Sequence, residues 1–363
     1  SLSLVVSLIL VLSQSLEKSG QMERLLNNFK GLIRRPHINL VIFPALIGLL
    51  PMPGGAIFSA PMVKNLGRGH RLSPSQLSYT NYWFRHIWEY WWPLYPGVLL
   101  TTALAGVNLW HLVFYTLPLT LVAVLIGYRP LNGAMAPGEN SLTHSSRRAF
   151  LKELAPIAFV VFFGLACGQL FSAVLPQALL SVAKELGLIL ALLVSVVWVW
   201  RGNAMGVRRC WAIVSQPENI KMIYMICAIM IFKEILSDSG AVLDVSQEML
   251  RWHIPLVPIA MLLPFLVGGV GGITIAFVGT TFPILISLIQ AFNQTHLMLP
   301  YLMLALASGF AGVLVSPLHL CLLLSNEYFE TALLPVYRHL RVPVAVLLIS
   351  ALAYFGVLRY FLG

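Results

Sequence analysis

Charge is scarce in this sequence. Asp, Glu, Lys and Arg make up 10% of the 363 residues, whereas hydrophobic residues make up 58%. Because soluble domains carry about 25% charged residues, this composition excludes an ordinary soluble protein. Lipid offers the backbone no hydrogen-bond partner, so helices are the expected spanning elements. The sequence predicts an all-α polytopic membrane protein, with apolar runs of spanning length near 1–16, 94–107 continuing through 109–127, 153–175, 178–200, 221–236, 297–324 and 342–361.

Cysteines and catalytic signatures are also few. The four cysteines form no CxxC pair and are expected to pack in lipid, so the sequence predicts no metal site. The chain contains no GxSxG, HExxH or Walker motif and no paired intramembrane aspartates. We therefore expect neither an enzyme nor an ATP-driven pump, and no cofactor apart from Na⁺ or H⁺ as a coupling ion.

Basic residues outnumber acidic ones, with 23 Lys and Arg against 13 Asp and Glu. They fall between the apolar runs and form no single patch, which is typical of membrane orientation and excludes a nucleic-acid partner. The expected partners are the lipid bilayer and a small solute. The chain begins SLSLVV, without Met and within a hydrophobic run, so we expect a further segment upstream.

The two halves of the chain resemble each other. An apolar helix, a Ser-Gly pair and an amphipathic segment occur at 9–26 and again at 229–250. In each half a glycine pair follows, and after it a helix with a central proline. That proline is Pro93 in 89–100 and Pro317 in 312–324. Three matched features in one order indicate an internal repeat, in which Gly54-Gly55 aligns with Gly271-Gly272 and Ser59 with Ala276.

Charge predicts how the glycine-containing hairpins enter the membrane. The first, residues 37–66, lies between two basic loops that are cytoplasmic by the positive-inside rule. The second, residues 252–291, follows an acidic loop and precedes one without Lys or Arg, so it enters from outside. Inverted repeats of this kind are typical of secondary transporters. We expect a first inverted repeat at 1–128, connecting loops and scaffold helices at 129–220, and a second inverted repeat at 221–363.

The stretch PMPGGAIFSAPMV at 51–63 predicts a break in the helical backbone at membrane depth. Glycine permits the tight turn, and proline ends a helix. The free N–H groups can hold an anion and the free carbonyls a cation. A lone Gly-Gly pair or proline is more often a packing notch or kink, but the repeat favours the functional interpretation.

The motifs LPMPGGAIFSAPMV, GGVGGITIAFVGTTFPIL and SPLHLCLLLSNEYF resemble the ion transporter superfamily of divalent-anion/sodium symporters and citrate, gluconate and arsenite permeases, closest to its uncharacterised prokaryotic integral-membrane branch. The resemblance implies the prokaryotic cytoplasmic membrane, a homodimer and an elevator mechanism. It also implies that the hairpin tips bind solute and ion. The Ser-Asn-Thr signature of the dicarboxylate members is absent from both tips.

Carried over by position, the resemblance implies site residues at the two tips, and together with the polar residues around Pro317 they form two predicted sets. Substrate binding is assigned to Gly54, Gly55, Ser59, Gly271, Gly272, Thr274, Ser316 and His319. Ion coupling is assigned to Gly279, Thr280, Thr281, Ser316 and Glu327. His319 and Glu327 suit proton coupling, whereas the hydroxyls of Thr280, Thr281 and Ser316 suit sodium.

The segment NYWFRHIWEYWWP at 81–93 carries a further polar group. On a continuous helix Arg85 and Glu89 are i,i+4 neighbours and can pair. For Trp83, Trp88 and Trp91 we expect an interfacial aromatic belt.

The predicted function is ion-coupled secondary active transport, by symport or antiport, of a small anionic solute. The alternative is a transporter or flippase of a lipid-linked or amphipathic substrate.

Overall fold

A computed structural model describes residues 2–29, 36–52, 54–67, 71–132, 146–174 and 183–362. Within these ranges all regular structure is helical, which confirms the predicted class. The α-helices are α1 (Leu2–Lys18), α2 (Gln21–Phe29), α3 (Pro36–Gly48), α4 (Ala56–Gly67), α5 (Pro74–His86), α6 (Pro96–Ala105), α7 (Leu109–Gly127), α8 (Arg147–Val174), α9 (Ala183–Gly202), α10 (Val207–Val214), α11 (Pro217–Asp238), α12 (Ala241–Arg251), α13 (Leu256–Gly271), α14 (Thr274–Ala291), α15 (Met298–Leu314), α16 (Leu320–Tyr328) and α17 (Leu333–Leu362).

Six segments of the described chain are helical, long and apolar enough to cross a membrane, as a multi-pass protein requires. They are Leu109–Leu131, Arg147–Phe171, Glu185–Gly202, Thr274–Ala291, Thr295–Leu314 and Leu333–Leu362. The bent pair α1 and α2, at 68°, raises the number to seven if the two form one span. In the apolar 18-residue stretch of Thr295–Leu314, 94% of the residues are buried inside the protein, against 33% in the corresponding stretch of Leu333–Leu362. The helix α15 is therefore surrounded by protein, whereas most of α17 remains available to lipid.

Helix boundaries follow local chemistry. Ser73 and Gln76 form a capping box that starts α5, and Pro96 occupies the first turn of α6. Two glycines with positive φ end helices, namely Gly106 after α6 and Gly272 after α13. The first predicted hairpin corresponds to α3 and α4, and the second corresponds to α13 and α14.

Both predicted helix breaks are present. The chain leaves α5 at His86 and starts α6 at Pro96, and it leaves α15 at Leu314 and starts α16 at Leu320. We call residues 87–95 the first break and residues 315–319 the second break. The first break starts earlier than Pro93 alone predicts, so the expected continuous helix from Arg85 to Glu89 does not form.

The chain folds as two compact units. Unit 1 comprises Ser1–Asn39, Leu50–Met52 and Glu139–Cys227, and unit 2 comprises Leu40–Leu49, Pro53–Gly138 and Ala228–Gly363. Each unit draws on more than one of the three predicted regions, whose boundaries stay predictions. The basic residues Lys30, Arg34, Arg35 and Arg68, which support the predicted orientation of the first hairpin, lie outside the described residues, as does Pro53 of its tip.

In unit 1 the amphipathic helix α2 packs its apolar face inward up to the end of the described segment at Phe29. Met22, Leu25, Leu26 and Phe29 are buried, and Glu23 and Arg24 are exposed. Arg24 reaches the Glu153 carboxylate of α8 at 3.2 Å. The polar face of α2 is thus tied to α8.

Candidate functional site

Unit 2 contains a buried polar cluster where the two breaks meet. Its members are Arg85 and His86 at the end of α5, Glu89 in the first break, His319 at the end of the second break, and Cys321 in α16. Arg85 is 2% exposed, His86 0%, His319 7% and Cys321 5%. Buried ionisable groups in a membrane protein tend to be functional, because their burial is costly.

His86 lies at the centre of this cluster. Its Nδ1 is 2.5 Å from the Tyr82 carbonyl oxygen and must donate to it, since a carbonyl only accepts. In the neutral ring the lone pair is then on Nε2, which lies 3.2 Å from Arg85 Nη1 and 3.2 Å from His319 Nε2. Arg85 Nη1 also lies 3.6 Å from Cys321 Sγ. The two breaks are therefore connected through side chains that are far apart in sequence.

Glu89 connects the cluster to the second hairpin. The Thr274 hydroxyl donates to Glu89 Oε2 at 2.9 Å, and Glu89 Oε1 lies 3.7 Å from His86 Nε2. Because α5 ends at His86, the helical i,i+4 geometry predicted for Arg85 and Glu89 is absent. Glu89 instead contacts His86 and Thr274.

The first hairpin tip lies against Arg85 at the end of α5. Gly54 has φ of +72°, and a Cβ added to Gly55 would lie 3.0 Å from Arg85 Cζ. Ser59 is fully buried, and its hydroxyl faces the Ala56 carbonyl at 3.4 Å. A side chain at Gly55 would therefore displace the Arg85 guanidinium.

The second hairpin tip lies against the second break. Gly272 has φ of +64°, and an added Cβ would lie 3.0 Å from both His319 N and Ser316 Oγ. Gly271 is less confined, since its Cβ would make an ordinary contact with Ala276 at 3.6 Å. Gly55 thus lies close to the end of α5, and Gly272 lies close to the second break.

Aromatic side chains bind the carbonyls that the helix ends leave free. Trp88 Nε1 donates to the Ala45 carbonyl at 2.7 Å, and the Tyr95 hydroxyl donates to the Gly48 carbonyl at 2.6 Å, both at the end of α3. At the end of α15 the Tyr82 hydroxyl donates to the Leu314 carbonyl at 3.1 Å. These bonds supply partners that lipid cannot provide.

The comparisons with known proteins give one result. Residues 1–358 match a family model described as "Protein of unknown function (DUF401)". The chain belongs to this family. No curated protein matches the chain.

In this DUF401 member the predicted ion-coupling hydroxyls of α14 bond within their own helix. Thr280 Oγ1 donates to the Ala276 carbonyl at 2.8 Å, and Thr281 Oγ1 donates to the Phe277 carbonyl at 2.7 Å. Gly279 lies against Ile229 of α11. Ser316 is buried, and its Oγ accepts the Leu318 N–H at 3.2 Å, which shapes the second break. Glu327 is exposed on α16, outside the buried cluster.

The tryptophans also differ from prediction. Trp83 is 2% exposed and Trp91 9%, so both lie inside the DUF401 fold and not in an interfacial belt. Trp83 Nε1 donates to the Ala123 carbonyl of α7 at 3.0 Å. These aromatic rings therefore pack between helices, where their N–H groups find hydrogen-bond partners.

Sequence reasoning assigned Arg85, His86, Glu89 and Cys321 to neither set of site residues. In the DUF401 member the donor atoms of His86, His319 and Cys321 all lie within 4.8 Å of one another. One signal was present in the sequence, because His319 and Cys321 are separated by a single residue in SPLHLCLLL. The approach of His86 was not predictable from spacing, since it precedes Cys321 by more than half of the chain.

Proposed function

We propose that the chain is an ion-coupled secondary active transporter, a symporter or antiporter, of a small anionic solute. The observation that carries this proposal is the buried guanidinium of Arg85 beside the Gly55 tip. A cation at such a place is costly and marks a solute or ion pathway. A guanidinium binds carboxylates and oxyanions through two parallel hydrogen bonds, so an anion is the solute class that it suits.

The N-termini of four helices add to the positive electrostatic potential of Arg85. The helices α4 and α14 begin at the two tips, and α6 and α16 begin at the ends of the two breaks. An N-terminus carries a partial positive charge from its unpaired N–H groups. These four N-termini support an anion in the same region, because irregular backbone in a membrane protein is tolerated where it lines a cavity.

We extend the proposal to inverted repeats that move as an elevator. The first tip contacts the end of α5 and α16, whereas the second tip contacts both breaks. The first tip lies against Arg85, and Asn81 Nδ2 joins its Ala56 carbonyl, at 2.9 Å, to Ser325 Oγ of α16, at 2.7 Å. The second tip lies against the second break, and its Thr274 binds Glu89 of the first. Each tip thus contacts elements of both halves of the chain, which supports a two-fold relation between the halves.

The prokaryotic cytoplasmic membrane and a homodimer belong to the same proposal through the superfamily resemblance. For the coupling ion we keep both candidates. His86, His319 and Glu89 form a chain of proton-binding groups. The hydroxyl oxygens of Thr280, Thr281 and Ser316 are the groups that sodium prefers, which is our expectation from the resemblance.

Uptake into proteoliposomes tests the proposal. A panel of carboxylates and inorganic oxyanions is offered with a sodium gradient alone or a pH gradient alone. We expect accumulation of at least one anion with one gradient, and its loss in Arg85→Gln. Arg201→Gln, at an exposed arginine of unit 1, is the matched control and keeps wild-type uptake. Anion accumulation that persists in folded Arg85→Gln would contradict the solute site.

A further inference from the structure

The buried cluster contains three side chains of types that bind metal ions. The transport proposal does not use them as metal ligands. The imidazoles of His86 and His319 and the thiol of Cys321 point their donor atoms at one another, all within 4.8 Å. All three residues are buried. Imidazole and thiolate are the ligands of copper and zinc in proteins, so the kind of donor already limits the ligand class.

The spacing of the two imidazoles fits a shared metal ion. His86 Nε2 and His319 Nε2 lie 3.2 Å apart. Two nitrogens bound at about 2.0–2.1 Å to one ion, with tetrahedral or trigonal angles, lie about 3.3–3.6 Å apart. The thiol sulfur must approach by up to about 1 Å to complete a three-coordinate site. Cys321 is in the first turn of α16, beside the second break, where such a side-chain adjustment is local.

The surroundings prepare His86 for metal binding. Its Nδ1 proton is held by the Tyr82 carbonyl at 2.5 Å, which leaves the Nε2 lone pair for a metal. Such a hydrogen bond from the second ring nitrogen is usual for metal-binding histidines. On binding, the Nε2 contact with Arg85 gives way, and Arg85 Nη1 stays close to the Cys321 sulfur, which lies 3.6 Å away, as a donor to the thiolate.

Charge decides which ion suits the cluster. With the Cys321 thiol protonated and the Glu89 carboxyl ionised, the positive charge of Arg85 and the negative charge of Glu89 sum to zero. A monovalent metal ion that replaces the thiol proton keeps that sum at zero, whereas a divalent ion leaves one buried positive charge, which is costly. Among monovalent ions, a thiolate with imidazoles selects a soft one such as Cu(I).

We propose that His86, His319 and Cys321 form a binding site for a soft monovalent metal cation, Cu(I) or its analogue Ag(I). In the binding step the S–H bond of Cys321 breaks, a bond between sulfur and metal forms, and the proton leaves to solvent. The His319 ring moves its proton to Nδ1 and binds through Nε2. No atom changes oxidation state. This site does not depend on the transport proposal, because metal binding needs neither a solute nor a gradient.

A pair of variants that differ only at Cys321 tests the site. The first carries Cys167→Ser, Cys210→Ser and Cys227→Ser, so that Cys321 is its single thiol. The second adds Cys321→Ser. Each full chain is purified in detergent and loaded with Ag(I), or with Cu(I) under anaerobic conditions. Metal retained after gel filtration is counted, and affinity is measured by competition with a chelator.

We expect one equivalent of Ag(I) in the first variant and at least tenfold weaker binding in the second. His319→Gln should weaken binding to a similar extent, whereas His111→Gln, at an exposed histidine of α7, should not. X-ray absorption of the Cu(I) form should show one sulfur and two nitrogens. If His319→Gln fails to fold, the cysteine pair and the absorption spectrum still decide the question.

Three results would overturn the proposal. They are equal Ag(I) retention with and without Cys321, a first coordination sphere without imidazole nitrogen, and tighter binding of Zn²⁺ than of Ag(I) by the single-thiol variant. Loss of anion uptake in proteoliposomes would leave this result unchanged, and failure to bind metal would leave the transport experiment unchanged.

Discussion

The two breaks of unit 2 have the same backbone role but carry different chemistry. The first break and the end of α5 supply charge, through Arg85 and Glu89. The second break and the start of α16 supply Ser316, His319 and Cys321, which are neutral in their ordinary protonation states. The comparison teaches that a helix break provides the position, while the side chains around it decide what the position binds. The end of α5 and the first break alone would offer charge with a single imidazole, from His86, and the second break with the start of α16 alone would offer no charged side chain from the cluster.

The two tips differ in the kind of atom that lies against them. A Cβ at Gly55 would meet the end of a flexible arginine side chain, whereas a Cβ at Gly272 would meet backbone of the second break. The Arg85 side chain can move aside at the first tip, but the backbone that lies against the second tip cannot. Substitutions with matched controls can test this difference.

The largest effect is expected for Gly48→Ala, at the end of α3 behind the first break. The new methyl group would overlap the Arg85 carbonyl oxygen and lie 2.8 Å from Trp88 Cδ1. Overpacking against backbone costs about 1–3 kcal/mol or more, and we place this variant at the upper end. Gly356→Ala in α17, with no atom within 4 Å of its new methyl, should be neutral or stabilising. Thermal unfolding in detergent measures both, and equal stability would contradict the packing of the first break.

Gly272→Val tests whether the second tip is fixed by contact or only by backbone conformation. The control is Gly240→Val, because Gly240 has a similar φ of +69° but no atom within 4 Å. Both variants share the strain of a β-branched residue at positive φ. We expect Gly272→Val to unfold more easily than Gly240→Val by about 1–3 kcal/mol and to lose anion uptake. Equal destabilisation would mean that the tip is a turn without a close partner.

Gly55→Val should affect function more than stability. Its Cβ would lie 3.0 Å from Arg85 Cζ, so the guanidinium must move, but as the end of a long side chain it can do so at a cost of about 1 kcal/mol. Anion uptake should fall at least tenfold because the displaced guanidinium is the proposed solute ligand. Gly269→Val in α13, whose nearest contact is at 3.8 Å, is the control. Normal uptake in folded Gly55→Val would separate Arg85 from the solute.

Local chemistry in the sequence predicted much of this fold. Prolines predicted both breaks, and the glycine pairs predicted where the chain passes from α3 to α4 and from α13 to α14. The position of Arg85 beside Cys321 was not predictable, because 236 positions separate them and only tertiary packing brings them together. The helix through Glu89 was wrong because the chain turns directly after His86. The aromatic belt was wrong because Trp83 and Trp91 face neighbouring protein.

The smallest effect is expected at the contact between the second tip and the first break. Thr274→Val keeps the shape of the side chain but removes the hydroxyl that donates to Glu89 Oε2 at 2.9 Å. The carboxylate is 12% exposed and keeps His86 within 3.7 Å, so partial hydration limits the loss of stability to about 1 kcal/mol. Thr281→Val, which removes a hydroxyl bonded within α14, has a similar stability cost without touching Glu89. Anion uptake should therefore fall several-fold in Thr274→Val and stay near wild type in Thr281→Val. If both variants transport equally well, the contact between the halves is structural only and no longer supports a moving two-fold unit.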